Sequence, residues 1–241
     1  MINRKFFIEL DGENILYKNE NGEKVKCRYV EFNKAKVNMK NKNLYIIVHG
    51  EEVYIRIIKI PKVKKDKLYF MIRQELIYIF KSIDNILFNY NVCSDNGTNL
   101  EVAVFCLNWN KNNLLKKCIN SGAKFKAVFP VQFYALDIMK NKIKSNNYIF
   151  VFSYNYTIYF IKCKNSEVVD NSMIKNFSIH KFHEQLNEFI IKSDYIEQID
   201  IPDVFFLNFP YKDLIKELSY TYRCKDLKGF NSSRFEVVQY K

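Results

Sequence analysis

The sequence predicts an α/β protein, of the α+β kind, in which helices cover mixed sheets. Three observations lead to this class. Short strands with alternating apolar residues open the chain, apolar residues at helical spacing follow Pro61, and strands and helices alternate through the remainder. Hydrophobic residues make up 48% and charged residues 27% of the 241-residue chain, a composition typical of packed globular proteins that excludes wholesale disorder.

Tight turns separate the strands at the start of the chain. Asp11-Gly12 and Asn21-Gly22 are dipeptides typical of two-residue hairpin turns, and apolar residues alternate with polar ones on either side. We therefore expect a β-meander in residues 1–52, the first predicted region. Its predicted strands are Phe7–Leu10, Asn14–Tyr17, Lys24–Phe32 and Leu44–Val48.

The second predicted region, residues 53–145, changes from strand to helix at Pro61. Apolar residues recur at helical spacing after Asp66, on a face that also carries Glu75, and Ser121-Gly122 marks the end of a later helix. The order of elements is βαββαβ, which predicts a ferredoxin-like subdomain. The predicted elements are Val53–Ile60, the helix from Asp66, strands Asn85–Val92 and Leu100–Leu107, helix Asn110–Asn120, strand Lys124–Phe129 and helix Val131–Lys142.

The third predicted region, residues 146–241, again alternates strands with helices, which predicts helices that cover a mixed sheet. We expect the regions to pack together, because no low-complexity linker separates them and no repeat of fixed period is visible. The predicted elements are strands Tyr148–Ser153 and Thr157–Cys163, helix Ile179–Lys192, strand Asp203–Leu207, helix Lys212–Ser219 and strand Phe235–Gln239.

Positive charge is concentrated in the middle of the chain. The 38 Lys and Arg against 26 Asp and Glu give a net charge of +12. Pro61–Ser145 holds 14 basic and 6 acidic residues, Met1–Ile60 holds 12 and 8, and Asn146–Lys241 holds 12 of each. An acidic partner or an anionic membrane surface should therefore meet the middle part of the chain.

Cysteine usage and hydropathy indicate a cytosolic protein. None of the six cysteines forms a Cys-x-x-Cys pair or has a neighbouring histidine, so we expect buried, reduced thiols. The N-terminal MINRKFFIEL lacks the apolar run of a signal peptide. The longest uncharged stretch, Ser145–Ile161, is shorter than the ~20 apolar residues that cross a bilayer and is interrupted by Asn and Ser.

The residue patterns of common catalytic sites are missing. His180 and His183 lie one helical turn apart, but only Glu184 could add a metal ligand, so we predict no metal site. The sequence has no Gly-x-x-x-x-Gly-Lys-Ser/Thr loop and no Gly-x-Gly-x-x-Gly turn. A Ser or Cys nucleophile lacks a base, since His49 is the one further histidine and no Gly-x-Ser-x-Gly turn exists.

Between Val53 and Lys140 the order of residues resembles a known family. An Arg lies in a strand that ends in Pro, an Ile-Arg-x-Glu helix follows, and Tyr-Ile, Ile-Asp and Tyr-x-Val pairs come next. The matching residues are Arg56, Pro61, Ile72, Arg73, Glu75, Tyr78, Ile79, Ile83, Asp84, Tyr90, Val92, Ser121, Gly122 and Phe133–Leu136. The segment resembles the type IV pilus assembly protein PilM and the cytoplasmic domain of the type II secretion protein GspL, although the family motif has one more residue before the Glu.

This resemblance implies an actin-like fold of the ribonuclease H-like type, with two halves and an inserted subdomain built as in FtsA. The second half of this chain is short for such a protein. Actin-like proteins hold ATP and a metal ion between the halves on acidic-Gly turns and a Gly-Gly turn. Here Glu9 keeps the carboxylate, Asp11 replaces the glycine ahead of Gly12, Ser153 leads into neither Asp nor Gly, and Asn208-Phe209-Pro210 replaces Ser-Gly-Gly. Since side chains there remove room and positive-φ freedom, we expect no bound cofactor.

The resemblance therefore implies a non-catalytic cytosolic scaffold at the inner face of the cell membrane. It would hold the cytoplasmic tail of a single-span membrane protein near Arg56, Arg73, Glu75 and Tyr78, and could link that protein to the motor ATPase. Glu75 is either a plain helix-edge carboxylate or part of a polar network. Two alternatives stay open, an actin-like ATPase that uses Glu9 and a nucleic-acid-binding or general interaction module. We expect no nucleic-acid partner, because the basic charge and the aromatic strands lie in different regions.

Overall fold

A computed structural model describes residues 4–19, 21–35, 37–192 and 202–227. Two five-stranded sheets and one three-stranded sheet form this part of the chain. In chain order the elements are β1 (Arg4–Asp11), β2 (Asn14–Lys18), β3 (Lys24–Arg28), α1 (Tyr29–Lys34), β4 (Lys42–His49), β5 (Val53–Pro61), α2 (Lys65–Phe80), β6 (Ile86–Asp95), β7 (Asn99–Asn108), α3 (Asn112–Asn120), β8 (Lys124–Pro130), α4 (Val131–Met139), β9 (Tyr148–Tyr154), β10 (Thr157–Lys164), β11 (Glu167–Lys175), α5 (Phe182–Lys192), β12 (Asp203–Leu207), α6 (Lys212–Leu218) and β13 (Arg223–Asp226).

The first sheet has the strand order β3-β2-β1-β4-β8. Strands β1, β2 and β3 form antiparallel hairpins, as the turn dipeptides predict. Strand β4 then lies parallel to β1, and β8 lies parallel to β4. The predicted β-meander is therefore wrong beyond its third strand, because the chain crosses over between β3 and β4 instead of reversing in a tight turn.

The strand predicted over Lys24–Phe32 is too long, because the helix α1 begins at Tyr29. The backbone N–H of Arg28 donates to Oε2 of Glu31 at 2.8 Å, so this carboxylate caps the first helical turn. The same hydrogen bond is the main cause of a lowered pKa for Glu31. Phe32 is fully buried against Tyr17, with ring centroids 5.3 Å apart, and this packing holds α1 on the sheet.

A small antiparallel sheet, with the order β5-β7-β6, is inserted between β4 and β8. Helix α2 covers one of its faces and buries Leu68, Ile72 and Leu76. We call β5, α2, β6 and β7 the inserted subdomain. The predicted ferredoxin-like βαββαβ unit is wrong in its last helix and strand, because β8 pairs with β4 in the first sheet and α3 packs there too.

Two kinds of contact hold α3 and β8 in the first sheet. Leu114 and Cys118 of α3 are fully buried in the core of that sheet. Lys117 Nζ donates to the carbonyl oxygens of Phe32 and Ala35, the latter at 3.0 Å, and so ties α3 to the end of α1. Burial of this ammonium lowers the pKa of Lys117.

The second sheet repeats the arrangement of the first. Its order is β11-β10-β9-β12-β13, with two antiparallel pairs followed by two parallel pairs, the same sequence of pairings as β3-β2-β1-β4-β8. Strands β11 and β13 are not among the sequence predictions. The predicted strand Phe235–Gln239 lies outside the described residues, and the division of the chain at residues 52 and 145 stays a prediction.

One hydrophobic core joins the two five-stranded sheets. Helix α4 lies between them, and Val131 and Ala135 of this helix share a core with Ile47 of β4 and with Phe150 and Phe152 of β9. Helices α5 and α6 cover the other face of the second sheet. We call the first sheet with α1 and α3 the first half, and the second sheet with α5 and α6 the second half.

Candidate functional site

Two hairpin turns, one from each half, meet at the junction of the halves. They are the β1–β2 turn that contains Gly12 and the β9–β10 turn that contains Asn155 and Tyr156, and they occupy the same place in two sheets of equal topology. In the second turn φ is 46° at Asn155 and 58° at Tyr156, which is the geometry of a type I′ hairpin. Gly12 also has a positive φ, of 58°.

The expectation that side chains remove positive φ fails at Asn155, Tyr156 and Asn208, whereas Asp11 and Phe209, which stand in place of glycines, have no positive φ. Asn155, Tyr156 and Asn208 all adopt it, Asn208 with a φ of 55°. Asn enters the left-handed region at little cost, whereas a tyrosine there is uncommon. The left-handed backbone is therefore present in the β9–β10 turn and at Asn208 after β12, but not at Asp11 or Phe209.

Asp11 and Asn155 connect the two turns directly. Asn155 Nδ2 donates to Asp11 Oδ2 at 3.2 Å, and 144 positions separate these residues in sequence. Asp11 is half-buried and Asn155 is exposed, so the contact lies at the outer end of the junction between the halves. The residue in place of the family's glycine thus holds the opposite turn.

Behind this contact lies a buried cluster of Glu9, His49 and Tyr154. The side chains of Glu9 and His49 are 4% and 2% exposed, and His49 Nε2 lies 3.4 Å from Glu9 Oε2. The imidazole and the Tyr154 ring have centroids 5.0 Å apart. Burial raises the pKa of Tyr154, and the carboxylates of Glu9 and Asp11 raise it further. Among the described residues, neither ring nitrogen of His49 has a hydrogen-bond partner.

Two further hydrogen-bonded contacts cross between the second half and the start of the inserted subdomain. The N–H of Gly50 donates to the hydroxyl of Tyr159 at 2.7 Å, and burial raises the pKa of Tyr159 to about 12. The side chain of Asn171 pairs with the backbone of Val53, whose N–H donates to Asn171 Oδ1 at 3.1 Å and whose carbonyl accepts from Asn171 Nδ2. Asn171 thereby joins β11 of the second half to β5, although these two strands belong to different sheets.

A cleft of about 430 Å³ opens at the end of the inserted subdomain that adjoins the first half. Tyr54 and Phe80 contact each other there edge to face, with centroids 5.3 Å apart, and Cys106 is buried at the same level of the sheet. Burial raises the pKa of Cys106 to about 11, so its thiol is neutral. The cleft is lined by Glu52, Tyr54, Phe80, Ser82, Asn85, Ile86, Cys106, Leu107 and Asn108.

The four residues predicted to contact a partner do not gather in this cleft. Arg56 lies beside it, since Arg56 Nη1 donates to the hydroxyl of Tyr54 at 3.3 Å. Tyr78 is 77% exposed near the end of α2, next to the ammonium of Lys81. Arg73 and Glu75 are exposed along α2 and do not line the cleft. Glu75 therefore projects to solvent and not onto the apolar face that the helical spacing assigned to it.

Comparisons with known proteins identify the fold. A chain of the PilM–PilN type IV pilus biogenesis complex matches with a TM-score of 0.63 and 9% sequence identity, over 98% of this chain and 90% of that chain. A Bacteroides thetaiotaomicron protein with an actin-like ATPase fold and unknown function matches with a TM-score of 0.53 and 10% identity, over 98% of this chain and 96% of that chain. The fold is actin-like.

The resemblance to PilM found in the sequence is thus confirmed at the level of the fold. The cytoplasmic domain of EpsL, an inner membrane component of the type II secretion system of Vibrio cholerae, also matches, with a TM-score of 0.48 and 11% identity over 84% of this chain and 81% of that chain. No family model matches the sequence, and no curated protein does. No helix in the described ranges is long and apolar enough to span a bilayer.

The side chains at the junction of the halves do not fit the nucleotide and metal that an actin-like fold implies. Glu9, which keeps the family's carboxylate, is buried against an imidazole and a phenol ring. The second turn brings the Tyr154 ring and the Asn155 amide to the place where a phosphate would need backbone N–H groups and glycine. The contact between Asn155 and Asp11 then closes the space between the turns.

The two remaining histidines and the cysteines do not form a metal site in the part of the chain that the structure describes. His183 Nε2 lies 3.5 Å from Glu217 Oε1, His180 is exposed, and the described residues contain no group of three or more His, Cys, Asp or Glu that could hold a metal. All six cysteines are free. The expectation that all of them are buried is wrong for Cys93, which lies exposed on β6, and Cys27 and Cys224 are only half-buried.

Sequence reasoning missed His49, Tyr159 and Asn171 as parts of the junction. Each belongs to a strand or its end. Tyr159 and Asn171 of the second half contact Gly50 and Val53, and His49 contacts Glu9 of its own sheet and Tyr154 of the second half. The one available signal was compositional. A histidine before Gly50, at the end of an apolar strand, and an asparagine inside a strand are unusual choices for those positions.

Proposed function

We propose that this chain is a non-catalytic scaffold of a type IV pilus or type II secretion-like assembly platform. It binds the cytoplasmic tail of a single-span membrane protein and lies in the cytoplasm, at the inner face of the membrane. The actin-like fold shared with a chain of the PilM–PilN complex supports the assignment to a pilus or secretion assembly platform. The observation that carries the non-catalytic role is the contact between Asp11 and Asn155, which joins the two turns where a nucleotide would need space.

The tail would bind at the cleft next to Arg56. Its walls offer the aromatic rings of Tyr54 and Phe80, which suit an apolar or aromatic side chain of a peptide. Arg56 lies exposed beside the cleft and suits an acidic residue of a tail. A cleft of this size can hold two or three side chains, which is typical of peptide anchoring.

Affinity purification from the cells that produce the protein tests this proposal. Tagged wild-type chain, the cleft variant Tyr54→Ser and the control Tyr220→Ser would be cross-linked, solubilised in detergent and captured. Tyr220 is a matched control because it is 93% exposed and lies outside the cleft. We expect the wild-type and control chains to recover the same protein with one transmembrane segment, and Tyr54→Ser to lose it. Equal recovery by Tyr54→Ser, or no membrane protein at all, would contradict the proposal.

A further inference from the structure

The solvent side of α2 carries a stripe of aromatic and basic residues. Lys67, Phe70, Gln74 and Tyr78 follow one another at intervals of three or four residues, so they lie along one side of the helix. Lys81 follows the last helical residue, and its ammonium lies over the Tyr78 ring. Phe70 is 60% exposed and Tyr78 is 77% exposed. These five residues are called the α2 stripe below.

The core does not account for these two aromatic rings. The opposite side of α2 supplies the buried residues Leu68, Ile72 and Leu76, which fix the helix on the small sheet. Phe70 and Tyr78 are absent from every core cluster of the described residues. With Tyr69, which is 53% exposed, three large aromatic residues lie exposed on this one helix, and exposed apolar residues that occur together mark interaction surfaces.

The charge around the α2 stripe is strongly positive. Six basic and two acidic residues lie between Pro61 and Lys81, within the most basic region of the chain. Lys62 is paired with Asp95 at 2.7 Å. Lys64, Lys65 and Lys67 are exposed and make no ion pair with any residue that the structure describes.

We propose that the α2 stripe binds the surface of an anionic lipid bilayer directly. Phe70 and Tyr78 would enter the headgroup region, while Lys64, Lys65, Lys67 and Lys81 approach the lipid phosphates. The surface is the outer side of a helix, and the cleft of the inserted subdomain lies elsewhere, at Tyr54 and Phe80. The outer side of a helix with exposed rings and flexible ammonium groups suits an anionic bilayer, whose headgroups can rearrange around it. A peptide would instead need a groove.

This inference goes beyond the proposed scaffold function, since neither the cleft nor a protein partner takes part in it. A peripheral helix of this kind binds weakly and reversibly, because each lysine near an anionic surface contributes only a small attraction that salt screens. Direct lipid binding would orient the inserted subdomain toward the membrane. The bound chain would then encounter a membrane-embedded partner by diffusion along the membrane surface.

Vesicle co-sedimentation of the full chain, without any partner, tests the inference. The two lipid mixtures are pure phosphatidylcholine and phosphatidylcholine with about one-third phosphatidylglycerol, each at low and at high salt. The variants are the lysine variant (Lys64→Gln, Lys65→Gln and Lys67→Gln together), the aromatic variant (Phe70→Ser with Tyr78→Ser) and the control Lys124→Gln with Lys126→Gln. The control lysines are exposed on β8, flank the 39% exposed Phe125, and make no ion pair with a described residue.

We expect the wild-type chain to sediment with the anionic vesicles at low salt and not with pure phosphatidylcholine. The lysine variant should bind at least about tenfold more weakly, and the aromatic variant several-fold more weakly, while the control binds as the wild type does. Tyr54→Ser should also bind vesicles as the wild type does, which separates a failure of this inference from a failure of the scaffold proposal.

Three outcomes would overturn the inference. The first is equal sedimentation with both lipid mixtures, or with neither. The second is the same loss in the control as in the lysine variant, which would mean that net charge alone acts. The third is complete release of the chain from the vesicles by a single-stranded oligonucleotide whose phosphate concentration is below that of the lipid. That result would assign the surface to nucleic acid. Thermal unfolding of each variant checks that the fold is retained.

Discussion

At the residue scale, asparagine side chains make contacts that backbone groups make in other proteins. Asn155 adopts a positive φ and reaches Asp11 in the other half, and Asn208 adopts a positive φ after β12. Asn171 of β11 pairs with both backbone groups of Val53 in β5, although the two strands belong to different sheets. An asparagine amide offers the same donor and acceptor as a peptide group, which is why it can replace one.

Replacement of Asn171 by alanine should destabilise the chain by about 2–4 kcal/mol. The change removes two hydrogen bonds and leaves the buried N–H and C=O of Val53 unpaired, which costs more than the bonds contribute. Urea unfolding measures the difference. Asn113→Ala, at an exposed position of α3, is the control and should change the free energy of unfolding by less than about 0.5 kcal/mol. Equal effects of the two variants would show that the amide pairing contributes nothing.

Replacement of Tyr156 by glycine should stabilise the chain by up to about 1 kcal/mol. Tyr156 has a φ of 58° and is 90% exposed, so the substitution removes backbone strain without loss of packing. Tyr220→Gly is the comparison, because Tyr220 is equally exposed and has no positive φ. The prediction fails if both glycine variants lose stability by the same amount.

The sequence identified Glu9, Asp11 and Gly12 as the first turn, and Ser153 and Asn208 as neighbours of the other two. It could not identify Asn155, Tyr159 or Asn171, because their contacts depend on how segments more than 100 residues apart in the chain pack together. His49 was missed because its contact with Glu9 depends on the parallel pairing of β4 with β1. Local pattern carries information over a few residues only. The positive φ of Asn208 was not expected, although asparagine tolerates it, and Phe209, which stands in place of a glycine, has no positive φ.

At the element scale, the sequence predicts the type and position of a strand or helix better than it predicts which other elements it packs against. The strand β8 and the helix α3 were expected at nearly their observed positions, yet they belong to the first sheet. Parallel pairing between β4 and β8 leaves no local signature, because no turn connects the two strands. Strand β11, with the sequence EVVDNSMIK, lacks regular alternation and was missed because its pairing with β10 defines it.

The two sides of α2 should respond differently to truncation. Ile72→Ala should cost about 2–4 kcal/mol, because Ile72 is fully buried and the change leaves a cavity. Phe70→Ser should change the free energy of unfolding by less than about 0.5 kcal/mol, because that ring is mostly exposed. Denaturant unfolding of both variants measures this. A cost above about 2 kcal/mol for Phe70→Ser would show that the ring serves the core and not a surface contact.

At the scale of the whole molecule, one topology occurs twice. The two five-stranded sheets have equal strand orders and equal pairings, although the sequence shows no repeat. The shared core around α4 and the hydrogen bonds at Gly50 and Val53 connect the halves. We infer that these contacts hold the two halves in a single arrangement. An actin-like nucleotide site would instead need open space between the halves.

The stability of the whole chain should fall as the pH rises above about 9. Burial raises the pKa of Cys106 and Cys163 to about 11 and that of Cys118 to about 12, from an ordinary value of 9.0. The folded chain then keeps protons that the unfolded chain releases. The resulting stability is fully present below pH 9 and is lost as the pH rises through 11 to 12.

Each buried cysteine should account for about 1 kcal/mol of this loss between pH 7 and pH 10. Urea unfolding at the two pH values measures the loss in the wild-type chain. In Cys118→Ala the difference between pH 7 and pH 10 should shrink by about 1 kcal/mol, since one titrating group is gone. In Cys93→Ala, the control, it should shrink less, because Cys93 is exposed and burial raises the pKa of its thiol less than that of Cys118. The same difference in Cys118→Ala as in the wild type would refute the assignment.

The central claim is that this actin-like protein works by binding a partner, with the space between its halves closed by side chains. Isothermal titration of the full chain with Mg-ATP tests it most directly. The closed contacts among Asp11, Asn155, Glu9, His49 and Tyr154 predict no saturable binding up to about 1 mM nucleotide. A saturable site with a Kd below about 10 μM would contradict the claim and favour an actin-like ATPase that uses Glu9.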